Sequence, residues 1–541
     1  MDKLINSLKS LDVKQLLILE DFINGKNIFM SGPGGTGKSY LIHIIKQLCL
    51  LSKKNFHITA LTGCAALLLN GKTVNSWAGT GIISSNDIKH YINRIKKSKK
   101  TINWTDIDVL VIDEVSMLSK KFFIILDSIG KLIRKNDKPF GGIQLIFSGD
   151  FYQLPPIQGK DEPDNNASLF CFEADNWSET FPEIHILTKV FRQENKEFSK
   201  LLNNIRVGNI TENNVETLKS RIIPFENTDI IPTKLYPTNI SVDSINKAEH
   251  DKLPERSCKT FSTKVIRPTE KDIYDNDISE TMIKYSTESI IKNNAPIEIK
   301  IGDQVICTYN ISDTIVNGSR GVVTDIREYP VVKFIDNEIE MRPIDIFDEN
   351  VKGLSYKKIP LKYAWALTIH KCQGMTLDLC IMDIGSNIFA PGQIYVALSR
   401  VKSLDGLYLL NFNHKKIKTM RIVKDFYAKY ENKVYTKDER NLEKKRIKKL
   451  INDYLEECKK IKVVEKVEKP INQEIVSKLN EYRKKIATEK DIKCYRILTN
   501  ETVNNIARDL PKDKDDLLSI KGIGPKTLET YGDDILTIIN N

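Results

Sequence analysis

Short apolar runs alternate with stretches of helical period along the first third of the chain. Residues 1–25 read as a helix ending at Gly25, and Asn27-Ile28-Phe29-Met30 as a buried strand that enters a Gly-rich turn. An apolar helix follows from Tyr40 to Leu50. His57-Ile58-Thr59-Ala60-Leu61, Asp108 to Asp113 and Gln144 to Ser148 are further short apolar runs with polar flanks. Buried strands separated by helices predict a parallel sheet covered on both faces.

From Ile297 to Ile346 the pattern changes to short alternating segments, such as Gln304-Val305-Ile306-Cys307 and Val331-Val332-Lys333-Phe334, broken by Asn317-Gly318 and Tyr329-Pro330. That pattern predicts a small antiparallel barrel inserted in a larger domain. The α/β texture returns from Tyr356 to Tyr427. Residues 429–470, rich in Lys and Glu, predict a charged helical linker, and residues 471–541 a small helical module.

At 541 residues the chain exceeds what one hydrophobic core serves, so several domains are expected. No stretch approaches the roughly 20 uninterrupted apolar residues of a membrane span, and the start has no signal-peptide pattern. A soluble, intracellular protein is expected, in nucleus, cytoplasm or a viral replication compartment. Nine cysteines without a C-x-x-C pair argue against structural zinc and disulfides. The net charge of +11 suits a polyanionic partner without establishing one.

Candidate chemistry begins at Gly32-Pro33-Gly34-Gly35-Thr36-Gly37-Lys38-Ser39, which fits G-x-x-x-x-G-K-[ST] between a strand and a helix. Its glycines let successive N–H groups and the helix N-terminus face phosphate oxygens. Lys38 is the expected partner of the β- and γ-phosphates of ATP, and the Ser39 hydroxyl an expected Mg2+ ligand. Val109-Leu110-Val111-Ile112-Asp113-Glu114 ends an apolar strand in two acids. Asp113 suits Mg2+, and Glu114 suits orientation or deprotonation of the attacking water. Gln153, in Ser148-Gly149-Asp150-Phe151-Tyr152-Gln153-Leu154, is placed to sense the γ-phosphate from the cleft; an ordinary loop is the bland alternative.

Read together, these residues resemble the Pif-type branch of the superfamily-one helicases. Lys138-Pro139-Phe140-Gly141-Gly142-Ile143-Gln144 looks like the signature of that branch. Thr59 to Ala66 and Asn75-Ser76-Trp77-Ala78-Gly79 resemble its first-lobe DNA motifs, and Thr368 to Gly374 its second-lobe DNA motif. Phe191-Arg192-Gln193 and Tyr395-Val396-Ala397-Leu398-Ser399-Arg400 resemble the motifs that carry arginine fingers. Gln15 matches the glutamine that reads adenine in such enzymes. Asn75, Cys372 and Pro33 depart from the usual residues.

The resemblance covers roughly residues 8–428 and implies an α/β fold of two RecA-like lobes, with ATP in the cleft between them. The boundaries expected are an N-terminal helix at 1–25 and a first lobe at 26–190. A second lobe follows at 191–292 and 351–428, interrupted by the barrel at 293–350. Implied nucleotide contacts are Gln15, Gly32, Gly34, Gly35, Thr36, Gly37, Lys38, Ser39 and Gly374. Glu114, Gln153, Arg192, Arg400 and Lys38 are the implied catalytic set, with both arginines reaching across from the second lobe.

Implied strand contacts are Thr62, Gly63, Ser76 and Trp77 on the first lobe and Thr368, His370 and Lys371 on the second; Trp77 is either core or a base-stacking surface. Tyr482-Arg483, Leu517-Leu518 and Gly522-Ile523-Gly524-Pro525-Lys526 resemble an HRDC domain, a helical bundle. The implied activity is that of a monomeric 5′-to-3′ motor that unwinds duplex and forked DNA in replication, repair, recombination or telomere maintenance. An RNA or RNA/DNA-hybrid translocase, and a nucleic-acid-binding ATPase that does not unwind, are the alternatives.

Overall fold

The computed structural model describes residues 4, 7–8, 10–81, 83, 86–98, 100–156, 169–193, 195–225, 232–255, 258–270, 272–273, 279–309, 311–312, 315, 319–334, 337–348, 351, 353–430, 436–464, 472–489, 494, 497–520 and 522–540. The chain divides into two compact units, Met1–Asn452 and Asp453–Asn541.

The first lobe is built on six parallel strands: β1 (Ile28–Ser31), β2 (Phe56–Ala60), β3 (Lys72–Thr73), β4 (Val109–Asp113), β5 (Gln144–Gly149) and β6 (Ile184–Ile186). They lie in the order β3-β2-β4-β5-β1-β6. Every residue of β1, β4 and β5 is buried, which explains their unbroken apolar runs. Asp12 caps the helix Val13–Ile23 in a capping box with Gln15, so the predicted 1–25 helix is broken ahead of Val13. The signature loop packs against the helix Lys120–Arg134. A Cβ on Gly130 would lie 2.7 Å from the Phe140 carbonyl oxygen, and Phe140 donates its N–H to Asp127 at 2.8 Å.

The second lobe carries four parallel strands in the order Ala366–Thr368, Thr233–Tyr236, Cys380–Ile384, Leu407–Phe412. Its expected end at residue 428 is corrected by the helix Arg421–Ala428. Val423 and Phe426 of that helix join Phe29, Phe151 and Trp177 in the first-lobe core. The aromatic face of the helix finds its partners there, so the chain returns to the first lobe after completing the second.

The inserted region is larger than 293–350. Its five-stranded antiparallel sheet takes a strand from beyond that range, Leu361–Tyr363, which pairs with Gln304–Cys307. Cys258–Phe261 pairs with Ile297–Lys300 from before it. A separate three-stranded sheet, Ile344–Phe347, Ser355–Lys358 and Lys264–Ile266, makes a small core of its own with Ile283 and Ile290 of the helix Glu280–Asn293. The Asn317-Gly318 turn lies outside the described residues.

The expected charged linker is helical over much of its length. Residues Lys437–Val464 form one helix whose Ile447, Ile451, Leu455 and Cys458 are buried at near-helical spacing. Arg446 anchors it, pairing with Glu443 and with Glu20 of the helix Val13–Ile23. The terminal unit buries Leu479, Val503, Ile506, Leu517 and Ile535 in one core. Gly522 has φ +103°, and a Cβ there would lie 2.2 Å from the Thr502 hydroxyl oxygen, so this turn serves packing. Among the described residues no helix is long and apolar enough to cross a membrane, and the described cysteines are free thiols.

Candidate functional site

The loops that follow β1, β4 and β5 leave the carboxyl edge of one sheet, the usual place for a ligand in an open α/β layer. The Gly-rich loop turns sharply there, with Gly35 at φ 81° and Gly37 at φ 86° leading into the helix Lys38–Leu51. A Cβ on Gly32 would lie 2.3 Å from the Leu187 carbonyl oxygen, and one on Gly35 would lie 2.4 Å from the Arg192 Cβ. At Gly32 and Gly35 the chain behind the loop excludes a side chain.

The cleft holds a cavity of about 420 Å³. Gly34, Gly35, Thr36, Gly37, Lys38 and Ser39 line it together with Asp113, Glu114, Gln153, Arg192, Gly374 and Arg400. The structure therefore gathers most of the predicted nucleotide set around one space. A run of backbone donors, an ammonium, a hydroxyl and two carboxylates form a donor set that fits a magnesium-bound triphosphate.

Lys38 donates to the carbonyls of Gly32 and Pro33 at 2.7 and 3.0 Å. Loss of hydration lowers its pKa, against the pull of Asp150, Glu114 and Asp113. Burial first, and the adjacent Glu114 carboxylate second, push Asp113 up to about 6. Glu114 occupies the left-handed region at φ 55°, unusual for a residue other than glycine and a frequent mark of functional sites.

Arg400 is 2% exposed; its guanidinium donates to the carbonyls of Val396, Cys372 and Met375 and to the Ser399 hydroxyl. Arg192 corrects the expectation that both arginines reach across from the second lobe. Phe191 donates its N–H to the Gly35 carbonyl at 2.8 Å, so Arg192 is tethered to the phosphate loop. Its guanidinium then extends to the Ser399 carbonyl at 3.1 Å. Desolvation, reinforced by Arg400, lowers the Arg192 pKa to about 10. The two guanidiniums repel one another, and the negative charge of a polyphosphate lying against both would offset that repulsion.

Gln15 is buried behind the loop rather than on the cavity wall. Its amide nitrogen faces the Thr36 carbonyl at 3.4 Å, and its amide oxygen accepts the Asp12 N–H at 3.1 Å.

Among the expected strand contacts, Trp77 is the clear correction to a stacking surface. It is 2% exposed, its ring lies 4.8 Å from that of Trp104, and its indole N–H donates to His57 Nδ1 at 2.7 Å. Thr62 accepts the Ala65 N–H and starts the short helix Gly63–Leu68. Ser76 is exposed, and its carbonyl accepts from Lys100 at 2.6 Å. On the second lobe Lys371 is exposed, His370 is half-buried against Phe389 with the rings parallel, and Thr368 is buried.

These observations can be set beside known proteins. Residues 14–216 match the family model of the PIF1-like helicases, and residues 472–539 match that of the HRDC domain. The chain is 35% identical to the ATP-dependent DNA helicase PIF1 of Danio rerio, over 78% of this chain and 64% of that protein. The crystal structure of the Pif1 helicase from Candida albicans is 32% identical, with a TM-score of 0.70, across 77% of this chain and 99% of that one. The chain belongs to the PIF1-like helicase family. A Bacteroides Pif1 structure with ADP-AlF3 and single-stranded DNA is 27% identical, with a TM-score of 0.60, over 77% of this chain and 96% of that one. The chain spans less than two thirds of the length of the curated relatives it matches first.

Around the PIF1-like cavity lie residues that the sequence reading did not single out. Gln373 of the second lobe donates through one amide nitrogen to Glu114 at 2.9 Å and to Gln153 at 3.2 Å. Tyr395 accepts the Gly34 N–H at 3.0 Å, and burial raises its phenol pKa to about 12. Asp150 and Arg206 form a buried two-pronged pair at 2.7 and 2.8 Å. Tyr427 stacks on Tyr152 at 5.0 Å, accepts the Phe151 N–H and meets the Ser31 hydroxyl. Gln373 and Tyr395 stand inside motifs read for other reasons. Arg206 and Tyr427 carry no local signal and emerge only once the chain is folded.

Proposed function

We propose that this chain is an ATP-hydrolysing DNA helicase that moves 5′ to 3′ along single-stranded DNA and opens duplex and forked DNA. The observation that carries the reading is the single cavity walled by Lys38, Asp113, Glu114 and Gln153 from one lobe and by Arg400 from the other. A binding module without turnover has no use for a carboxylate pair and a cross-cleft guanidinium around a phosphate loop. The ATP-dependent DNA helicase activity named for the zebrafish relative, and the single-stranded DNA in the Bacteroides structure, support the substrate class.

In this mechanism Lys38 leaves the Gly32 and Pro33 carbonyls to neutralise the β- and γ-phosphates, while the loop N–H groups hold their oxygens. Ser39 and Asp113 would hold Mg2+, which would supply positive charge to the transferring phosphoryl group when bound. Glu114 orients the attacking water and takes its proton. Gln153 senses the γ-phosphate. Arg192 and Arg400 oppose the charge that develops on it, and Arg400 ties closure of the lobes to its presence. Release of that tie after hydrolysis alternates the grip on the strand. Thr62, Gly63 and Ser76 on one lobe, with Thr368, His370 and Lys371 on the other, grip the backbone without reading sequence.

The test is strand displacement on duplexes with a 5′ or a 3′ single-stranded tail, with and without ATP, and with an RNA/DNA hybrid in parallel. Opening of the 5′-tailed DNA alone, only with ATP, is the expected result. Opening from the 3′ tail overturns the polarity, and a preference for the hybrid overturns the substrate.

A further inference from the structure

Gln373 is fully buried and stands where the two lobes meet. Its single amide nitrogen spans two side chains of the opposite lobe, Glu114 and Gln153. Both belong to the hydrolysis set proposed above; Glu114 is held through one of its two carboxylate oxygens and Gln153 through its amide oxygen. The amide N–H takes one of the acceptor sites of the Glu114 carboxylate, lowers the basicity of that oxygen and fixes the direction in which the carboxylate faces. The Gln153 amide oxygen likewise spends one of its two lone pairs on Gln373, which turns it toward the second lobe.

The pose is also incompletely satisfied, because the Gln373 amide oxygen is buried without a hydrogen-bond partner. A buried, half-paired amide is a poor permanent strut and a good exchangeable contact.

The turn that carries Gln373 connects this contact to the strand-facing side of the lobe. The Thr368 carbonyl accepts the N–H groups of Lys371 and Cys372, and the Gln373 N–H points to the His370 carbonyl at 3.4 Å. Arg400 donates to the carbonyls of Cys372 and Met375, on either side of Gln373 in the chain. One short turn therefore bears exposed Lys371 on its outer side and Gln373 inside, with Arg400 bound to its backbone. Backbone hydrogen bonds within the turn join Thr368 and His370 to Lys371, Cys372 and Gln373, so a displacement of the outer side has a short path to Gln373.

We propose that Gln373 is a positioning residue that holds Glu114 and Gln153 out of use until a nucleic-acid strand seats on the Thr368–Lys371 turn. Seating of the strand shifts the turn, withdraws the amide from Glu114 and Gln153, and frees the carboxylate for water. The same shift carries the backbone to which Arg400 is bonded, so release of the base and placement of the cross-cleft guanidinium are one movement. Strand binding and hydrolysis are then coupled through a two-position contact, and the free protein hydrolyses ATP slowly. This proposal rests on the reading of the cavity as an ATPase site.

The test is steady-state ATP hydrolysis by the full chain, with and without saturating oligo(dT), for the unaltered protein, Gln373→Leu and Gln373→Glu. Leucine removes the donor, while glutamate keeps the shape and places a like charge beside Glu114. The expected result for both variants is a rise in kcat without DNA by about 5- to 150-fold, the usual span of coupling between two sites. The ratio of stimulated to unstimulated rates falls to match, with KM for ATP and oligo(dT) affinity unchanged.

An unstimulated rate at or below that of the unaltered protein in both variants overturns the proposal. So does a change confined to KM or to DNA affinity, which would mark Gln373 as a structural support. If the unaltered protein shows no ATP hydrolysis under either condition, the reading of the cavity itself fails. A normal, DNA-stimulated enzyme with indifferent variants removes only the role of Gln373.

Discussion

Lys38 and Trp77 show how differently two conspicuous residues are used. Lys38 faces the cavity with its ammonium on loop carbonyls, ready to exchange them for phosphate oxygens. Lys38→Ala is expected to abolish ATP hydrolysis and strand displacement while leaving the melting temperature near that of the unaltered protein, as read by a coupled assay and a thermal melt. Trp77 is a pillar of the first-lobe core, packed on Trp104 and bonded to His57. Trp77→Ala should cost about 3–5 kcal/mol of stability in denaturant titration. Trp77→Phe, which keeps most of the packing, should bind oligo(dT) as tightly as the unaltered protein; a tenfold loss of affinity would restore the stacking role. The phosphate loop was legible because its chemistry is local: glycines, lysine and serine at fixed spacing between a strand and a helix. The fate of Trp77 was not, since its ring is placed by Trp104 and His57 rather than by its own neighbours in sequence.

At the scale of elements, the pair Asp150–Arg206 joins the loop after β5 to the helix Lys196–Val207, with the Arg206 guanidinium 4.5 Å from the centre of the Tyr152 ring. Tyr427, from the helix Arg421–Ala428, stacks on the other member of that sandwich. Three elements distant in sequence thus meet behind the phosphate loop. Arg206→Met leaves Asp150 buried without its partner and should cost about 3–5 kcal/mol, measured by chemical denaturation. Replacement of both partners by apolar residues of similar volume should cost less than that single change. Parallel strands and their helices were readable because burial on both faces writes continuous apolar runs. The destinations of Arg421–Ala428 and Leu361–Tyr363 were not, because hydrophobic period says which face is buried and not against what. The charged segment from Lys437 hid its buried Ile447 and Ile451 for a related reason: two apolar residues per two turns barely rise above a Lys- and Glu-rich background.

At the scale of the whole molecule, charge is unevenly divided. Residues 472–541 contain twelve Lys and Arg against twelve Asp and Glu, so the entire excess of +11 lies in the preceding residues. A neutral module adds little to counterion release. Removal of residues 471–541 is therefore expected to leave the slope of log affinity against log salt for oligo(dT) unchanged, as measured by fluorescence anisotropy; a clearly shallower slope would place phosphate contacts in the module. The proposed motor depends on the second lobe presenting Arg400 to a nucleotide held by the first. The most direct measurement is the turnover of Arg400→Ala at saturating ATP and oligo(dT), with nucleotide affinity determined alongside. The expected result is a fall in kcat of about 10³-fold or more with nucleotide affinity little altered. Turnover close to that of the unaltered protein would contradict it.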